Sequence, residues 1–189
     1  MMQSLPKEYF DKLYAAADDP WSFATSAYEA EKYARSLAAL RPRYARGLEI
    51  GCSIGVFTAR LAAHCDELIA IDISERALAQ ARKRCAGDAH VRFLRAEFPH
   101  ESPPPPFDLV TCCEVGYYWS DTDLALAGDR IAAALVPGGD LLLVHFLPHV
   151  ADYVRVGDEV HLAVLADRRF AHVESFRAER YRLDLLRRR

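Results

Sequence analysis

The sequence predicts a doubly wound α/β fold around a seven-stranded sheet, and three features predict it. A short apolar run, Gly47-Leu48-Glu49-Ile50, meets a turn with glycines at 51 and 55 and then a helical pattern from Thr58, as in a parallel-sheet nucleotide site. Apolar runs and helical patterns then alternate as far as residue 165. The chain closes on two strand-like runs, 170–176 and 181–186, with no helix between them.

In order along the chain, residues 5–17 carry Tyr9, Phe10, Leu13 and Tyr14 at helical spacing. Asp18-Asp19-Pro20-Trp21 ends that helix, because the residue before a proline is disfavoured in the α region. A second helix is predicted over 27–40, with Ser26 as N-cap, Glu29 completing a capping box and Arg41-Pro42-Arg43 as the stop. The aromatic residues of this region either cover a ligand or pack as two helices on the sheet. After the glycine turn, residues 67–72 read as the second strand, ending on Asp72. Ser74 caps a helix over 75–85 with Ala77, Leu78 and Ala81 on one face. Residues 90–95 alternate as a third strand, and Pro103-Pro104-Pro105-Pro106 forms a stiff extended connector. The fourth strand, 107–115, is apolar as a parallel strand covered on both faces must be. A helix over 121–135 stops at Val136-Pro137-Gly138-Gly139, a fifth strand follows over 140–146, and 158–165 is a short helix. The last two strands should form an antiparallel hairpin at the sheet edge, with Arg187-Arg188-Arg189 a solvated tail.

Composition narrows the class. A chain of 189 residues can bury a full core as one domain without disulfides. A net charge of −3 argues against a nucleic-acid partner. No apolar run reaches the roughly 18 residues of a membrane span, and the N-terminal residues lack an apolar signal core, so a cytoplasmic protein is expected. The five cysteines, Cys52, Cys65, Cys85, Cys112 and Cys113, have no C-x-x-C spacing and read as buried thiols. Cys112 and Cys113 should face opposite sides of the sheet. His145, His149 and His161, even with Asp158, match no zinc spacing, so no metal is expected.

The turn at 51–55 is the ligand-binding candidate. Gly51 can adopt positive φ, Gly55 lets a ligand or the next helix approach, and the following helix offers free N–H groups. G-x-S-x-G lacks the third glycine of a dinucleotide fingerprint. Glu49 would repel a pyrophosphate but suits a cationic ligand group. Asp72 lies about 20 residues further on, where such an acid meets ribose hydroxyls. The end of the fourth strand falls at the topological switch point, which puts Glu114 to Trp119 at the expected reaction centre. Glu114 is either a ligand contact or a fold-supporting acid. Tyr117, Tyr118 and Trp119 form either an acceptor wall able to attract a cation or part of the core. His145, at the end of the fifth strand, is an acceptor-side group, a general base or a structural histidine.

E-I-G-C-S-I-G-V-F followed by L-I-A-I-D-I-S resembles motifs I and II of the class I S-adenosylmethionine-dependent methyltransferases, with Ser53 in place of the middle glycine of that loop. D-P-W-S-F-A-T-S-A-Y-E-A-E-K-Y, G-D-E-V-H after the fifth strand and Y-R-L-D-L-L-R-R at the end resemble the NodS-like small-molecule N-methyltransferases, over nearly the whole chain. The resemblance implies a Rossmann-like core over 46–189 under an N-terminal helical lid, 1–42, all in one domain. It implies S-adenosyl-L-methionine as cofactor and methyl transfer to a small polar acceptor, an amino group of an amino sugar or similar amine. The alternatives are O-methylation of a specialised metabolite or small acid, which for an anionic oxygen needs a basic anchor such as Arg130 or Arg155, and a non-catalytic cofactor-binding protein. Cofactor contacts are implied at Trp21, Tyr28, Tyr33, Glu49, Gly51, Cys52, Ser53, Gly55, Phe57, Asp72, Ile73, Glu97, Phe98 and Glu114. Glu97 would accept from the adenine amino group and Phe98 would pack on the ring. Acceptor contacts are implied at Tyr117, Tyr118, His145, Tyr153, Asp158 and His161, with Glu114 and His145 as candidate bases. Phe146 departs from the tryptophan that family tends to carry after the strand-end histidine. The expected partner is a small molecule, with neither nucleic acid nor membrane, and the expected state is a monomer or homodimer.

Overall fold

A computed structural model describes residues 3–189, so the first two residues of the expected lid lie outside the described residues. Helices α1 (Lys7–Ala16) and α2 (Ala27–Ala38) precede the sheet. The parallel strands are β1 (Tyr44–Ile50), β2 (Cys65–Asp72), β3 (Val91–Arg95), β4 (Phe107–Cys113) and β5 (Leu135–Phe146). Helix α3 (Val56–Leu61) follows β1, α4 (Glu75–Arg84) follows β2 and α5 (Asp121–Ala134) follows β4. Helix α6 (Gly157–Leu165) leads to β6 (Phe170–Arg177) and β7 (Tyr181–Arg188). The strand order is β3-β2-β1-β4-β5-β7-β6, with β7 antiparallel to both of its neighbours. The order reverses between β1 and β4, which pair through Leu48 opposite Val110 and Ile50 opposite Cys112.

Both faces of the sheet are covered, which is why its strands are apolar on successive residues. Leu48, Ile50, Val110 and Leu143 pack with α5 and α6 through Leu124, Ile131 and Val160. Leu109, Leu142 and Val144 pack on the opposite face with Tyr33 of α2 and Phe57 and Leu61 of α3. Cys112 joins the first cluster and Cys113 packs against the second, as their strand alternation requires.

Local chemistry explains the element ends. Ser26 accepts from the Glu29 N–H at 3.3 Å, but the capping box is not completed: the Glu29 carboxylate turns inward to Lys32. The Pro103–Pro106 connector is held by Arg46, whose guanidinium donates to the carbonyls of Pro104 and Pro106 at 3.0 Å each. Strand β1 starts three residues earlier than the apolar run suggests, because Asp108 accepts both the Ala45 and Arg46 N–H groups at 2.8 Å. The Pro137–Gly139 turn is absorbed into β5 as an irregularity: the ladder jumps from Phe107 opposite Leu135 to Leu109 opposite Asp140.

The hairpin forms at the sheet edge as expected, with β6 outermost and β7 beside β5. One expectation for the C-terminal region needs correction. Arg187 and Arg188 belong to β7 and are not a solvated tail. Arg187 donates through Nε to Asp140 at 2.8 Å, and Arg188 donates to the Ala132 carbonyl at 3.0 Å. Asp140 is completely buried and also accepts from Arg41 Nε and the Tyr44 hydroxyl, each at 2.8 Å. One carboxylate thus joins β1, β5, β7 and the end of α2. Its replacement leaves three donors without their acceptor. Asp140→Ala is expected to cost about 2 kcal/mol in urea unfolding; an unchanged midpoint would show that solvent serves those donors equally well.

Candidate active site

A cleft opens where the strand order reverses, at the carboxyl ends of β1, β2 and β4, as expected for a doubly wound sheet. Its empty volume is about 890 Å³, part of it open solvent. Gly51 and Ser53 line it from the turn after β1, Asp72 and Ile73 from the end of β2, and Glu114 and Val115 from the end of β4. Glu97 and Phe98 follow β3 on the same wall, where Phe98 packs on Trp119 with ring centroids 5.7 Å apart. The N-terminal segment closes the top through Leu5, Phe10, Tyr14, Trp21 and Phe23.

The turn is shaped by its left-handed residues. Gly51 has φ 75, and a Cβ there would stand 2.1 Å from Val115 Cγ1. Gly55, at φ 78, caps α3 and touches α4: a Cβ would stand 2.9 Å from Ala81 Cα. The room at Gly55 therefore serves the packing of α4. Ser53, in place of the middle glycine, takes φ 51, and its Oγ meets the Tyr14 hydroxyl of α1 at 2.5 Å.

Asp72 is oriented by backbone donors. Its Oδ2 accepts from the Ser53 N–H at 2.8 Å and its Oδ1 from the Ser74 N–H at 2.9 Å. Each oxygen keeps a lone pair for a ligand hydroxyl. Burial pushes this carboxyl up to about 6, and the backbone N–H groups offset only part of that. Glu49 lies beneath the turn and does not line the cleft. It is 3% exposed, and its Oε2 has no hydrogen-bond partner. Burial pushes it up to about 7, with Thr58 nearby offsetting part of the shift and the charge of Asp72 adding to it.

Glu114 leaves β4 at φ 58, where a residue with a Cβ is uncommon. Its Oε1 is paired with the Lys32 ammonium of α2, and its Oε2 accepts from the Tyr117 hydroxyl at 2.7 Å and the Phe146 N–H at 2.9 Å. Lys32 also donates to Glu29 at 3.0 Å. Burial works against the charge on Lys32, but Glu114 and Glu29 outweigh it and hold the ammonium above the usual lysine range. Tyr14, Glu29 and Lys32 are residues that the sequence reading missed as site groups. The Glu29–Lys32 spacing of three on a helix was a usable signal for the pair; nothing local marked Glu114 as its partner.

Several expected contacts do not meet the cleft. Tyr33 stacks on Phe57 at 5.3 Å inside the core, so neither lines it, and Cys52 and Gly55 lie behind the turn. Tyr28 packs against Tyr181, with its hydroxyl buried and unpaired near Lys32. Tyr118 lines the cleft, whereas Tyr117 and Tyr153 stack behind it at 4.6 Å. Asp158 is paired with Arg177 and Arg182 of the β6–β7 hairpin. His145 does not fit the role of base. It is fully buried, its Nε2 accepts from the Gly116 N–H at 3.1 Å, and its Nδ1 lies 3.1 Å from His161 Nε2. That arrangement puts the proton of each ring on Nδ1, with His161 donating to Asp184 at 2.5 Å. Burial, reinforced by His161 and Lys32, holds His145 well below the usual imidazole range. The two histidines brace the Gly116 turn from inside the protein, because β5 directs that face toward α6 and away from the cleft.

Residues 6–147 match the family described as Nodulation protein S (NodS). This chain belongs to the NodS family. Nodulation protein S of Rhizobium tropici is 34% identical over 130 residues, and that of Sinorhizobium fredii is 32% identical over 130 residues. Each match takes in 67% of this chain but only 55% and 60% of those proteins, so the NodS-family chain spans little more than half the length of these relatives. The crystal structure of N-methyltransferase NodS from Bradyrhizobium japonicum WM9 in complex with S-adenosyl-L-homocysteine superposes with a TM-score of 0.85 at 27% identity. That similarity covers 96% of this chain and 97% of the other. Among the described residues, no helix of this NodS-family chain is long and apolar enough to cross a membrane.

The buried acids of the site make stability depend on pH. Glu49 binds its proton more tightly in the folded chain, at about 7, than an ordinary glutamate does at 4.5. Its contribution is fully present below the unfolded value and is lost as pH rises through the folded one. The shift corresponds to about 3 kcal/mol. Asp72, raised from 3.8 to about 6, acts with the same sign at lower pH. Unfolding free energy is therefore expected to fall as pH rises from about 4 to about 7, and Glu49→Gln should flatten the decline above about pH 6. A decline that persists unchanged in the variant would assign it to other groups.

Proposed function

We propose that this protein is an S-adenosylmethionine-dependent methyltransferase acting on an amino group of a small polar molecule. One observation carries the reading: the 51–55 turn, Asp72 and the Glu97–Phe98 pair converge on one cleft at the point where the strand order reverses. Membership of the NodS family and the likeness to an N-methyltransferase NodS that holds S-adenosyl-L-homocysteine support it.

The residues fit this cofactor. The free lone pairs of Asp72 suit the ribose hydroxyls, Glu97 on the same cleft would accept from the adenine amino group, and Phe98 would offer an apolar face to the ring. Ile73 adds an apolar contact, and Trp21 and Tyr14 close the lid side. The buried Oε2 of Glu49 lacks the donor that an ammonium brought to the turn would supply. When bound, the cofactor supplies an electrophilic methyl group on a sulfonium. The chain's own part is to hold acceptor and methyl in line and to exclude water, the main source of acceleration in such a transfer.

The charge of the cleft supports an amine over an oxyanion. Its lining carboxylates are Asp72, Glu97, Glu114 and Asp123; among the described residues that line it there is no lysine or arginine. Arg155 is bound to the Trp119 carbonyl and Asp121, and Arg130 lines a separate shallow groove, so neither serves as an anchor for an anion.

Asp72→Ala is expected to weaken S-adenosylmethionine binding at least about tenfold by calorimetry, the loss of a charged hydrogen-bonding partner. Release of S-adenosylhomocysteine should then be assayed with amino sugars, simple amines, hydroxylated aromatics and small carboxylic or phosphonic acids. Turnover confined to amines supports the reading; turnover confined to oxygen acceptors replaces its acceptor; undiminished affinity in Asp72→Ala removes its cofactor placement.

A further inference from the structure

Lys32 is 2% exposed, and a charge so deeply buried persists only when it is paired and hydrogen-bonded. Its partners come from two different parts of the fold. Glu29 lies three residues away on α2, whereas Glu114 stands at the end of β4 and lines the cleft. Glu114 faces three donors: the Lys32 ammonium, the Tyr117 hydroxyl and the Phe146 N–H. A carboxyl group surrounded by donors stands there as an acceptor-only anion. These donors occupy three of its roughly four lone-pair sites, which makes it a poor acceptor for a further proton. The left-handed backbone at Glu114 is sustained by this anchoring, since such a conformation costs about 1–2 kcal/mol in a residue with a Cβ. One ammonium shared by two carboxylates also leaves a net negative charge at this corner of the cleft. The other nearby cation, Arg180, is exposed and lies over the Tyr28 and Phe146 rings.

We propose that Lys32 is a positioning residue that fixes the Glu114 carboxylate as a negative charge at the wall of the cleft, where it favours a cation at the methyl donor and at the acceptor nitrogen and does not take the proton. The inference rests on the methyltransferase reading above. In the transfer the nitrogen lone pair forms the new C–N bond while the C–S bond breaks and leaves its electron pair on sulfur. Positive charge thereby passes from sulfur to nitrogen, and the nitrogen then loses its proton to water. A fixed anion beside this path suits a neutral amine that becomes an ammonium. It repels a carboxylate or phosphonate acceptor.

The test needs no acceptor. S-adenosylmethionine carries a permanent sulfonium charge and S-adenosylhomocysteine does not, so the ratio of their affinities, measured by calorimetry, reads the field at the transfer point. Glu114→Gln is expected to lower that ratio about tenfold, the scale of one nearby charge in a partly buried site. In Lys32→Met the carboxylate is released from the position that the ammonium fixes, so its field at the transfer point weakens and the ratio should fall. Lys32→Arg should keep the wild-type ratio. Equal weakening of both ligands in Lys32→Met is the mark of a merely structural lysine and overturns the proposal, as does a ratio that rises there or stays unchanged in Glu114→Gln. If Lys32→Met does not fold, Glu114→Gln and Lys32→Arg decide the matter. If neither ligand binds the wild-type protein, the methyltransferase reading fails and this inference fails with it; binding with unchanged ratios removes this inference alone.

Discussion

The parallel strands of this sheet are covered on both faces, so a ligand can reach their backbone only at the strand ends. That constraint governs the molecule. Helices α2 and α3 close one face and α5 and α6 the other, and the strands between them are mostly apolar, with buried acids and a histidine only where partners or the strand ends receive them. Where the order reverses between β1 and β4, the connections leave in opposite directions and a gap opens at the carboxyl edge. Gly51, Asp72 and Glu114 are each the last residue of a strand or the first of the turn beyond it. Gly51, Asp72, Glu97 and Glu114 are far apart in the chain and are neighbours only because four strands end at the same level.

The second governing feature is the treatment of buried charge. Asp140, Asp72 and Glu114 are each met by two or three donors, whereas Glu49 keeps an oxygen without one. The first three are held by their surroundings as acceptors. Glu49 has been taken out of water with little in return, and this sets its raised proton affinity. The His145–His161–Asp184 chain follows the same logic: each buried ring nitrogen has a partner, and the chain ends on a carboxylate that also meets Arg182 and Ser175.

The strands and helices were legible because their signals are local. Alternation, caps such as Ser74 and stops such as Pro20 act within a few residues. The glycine turn and Asp72 were legible for the same reason, since a turn of that shape after a buried strand admits few residues. The acceptor side was not. His145 follows an apolar strand and looks like a strand-end base, but which way it faces depends on the packing of α6. Tyr28 and Tyr33 sit in a lid-like segment, yet Tyr33 is drawn into the core by Phe57, and the lid contacts fall to Phe10, Tyr14 and Trp21. Arg187 and Arg188 read as a charged tail, and only the insertion of β7 beside β5 gives them Asp140 and the Ala132 carbonyl.

By itself the sequence determined the layered α/β class, the order of its elements and the position of the glycine turn and Asp72, because hydrophobic period and turn chemistry are properties of short segments. The tertiary structure alone decided which carboxylates are satisfied, which histidines are sealed from the cleft and which helix supplies the ammonium beside Glu114. Those are contacts between residues as many as 99 positions apart. No local pattern encodes them, since the partners meet only after the sheet has ordered its strands and brought its helices down on both faces.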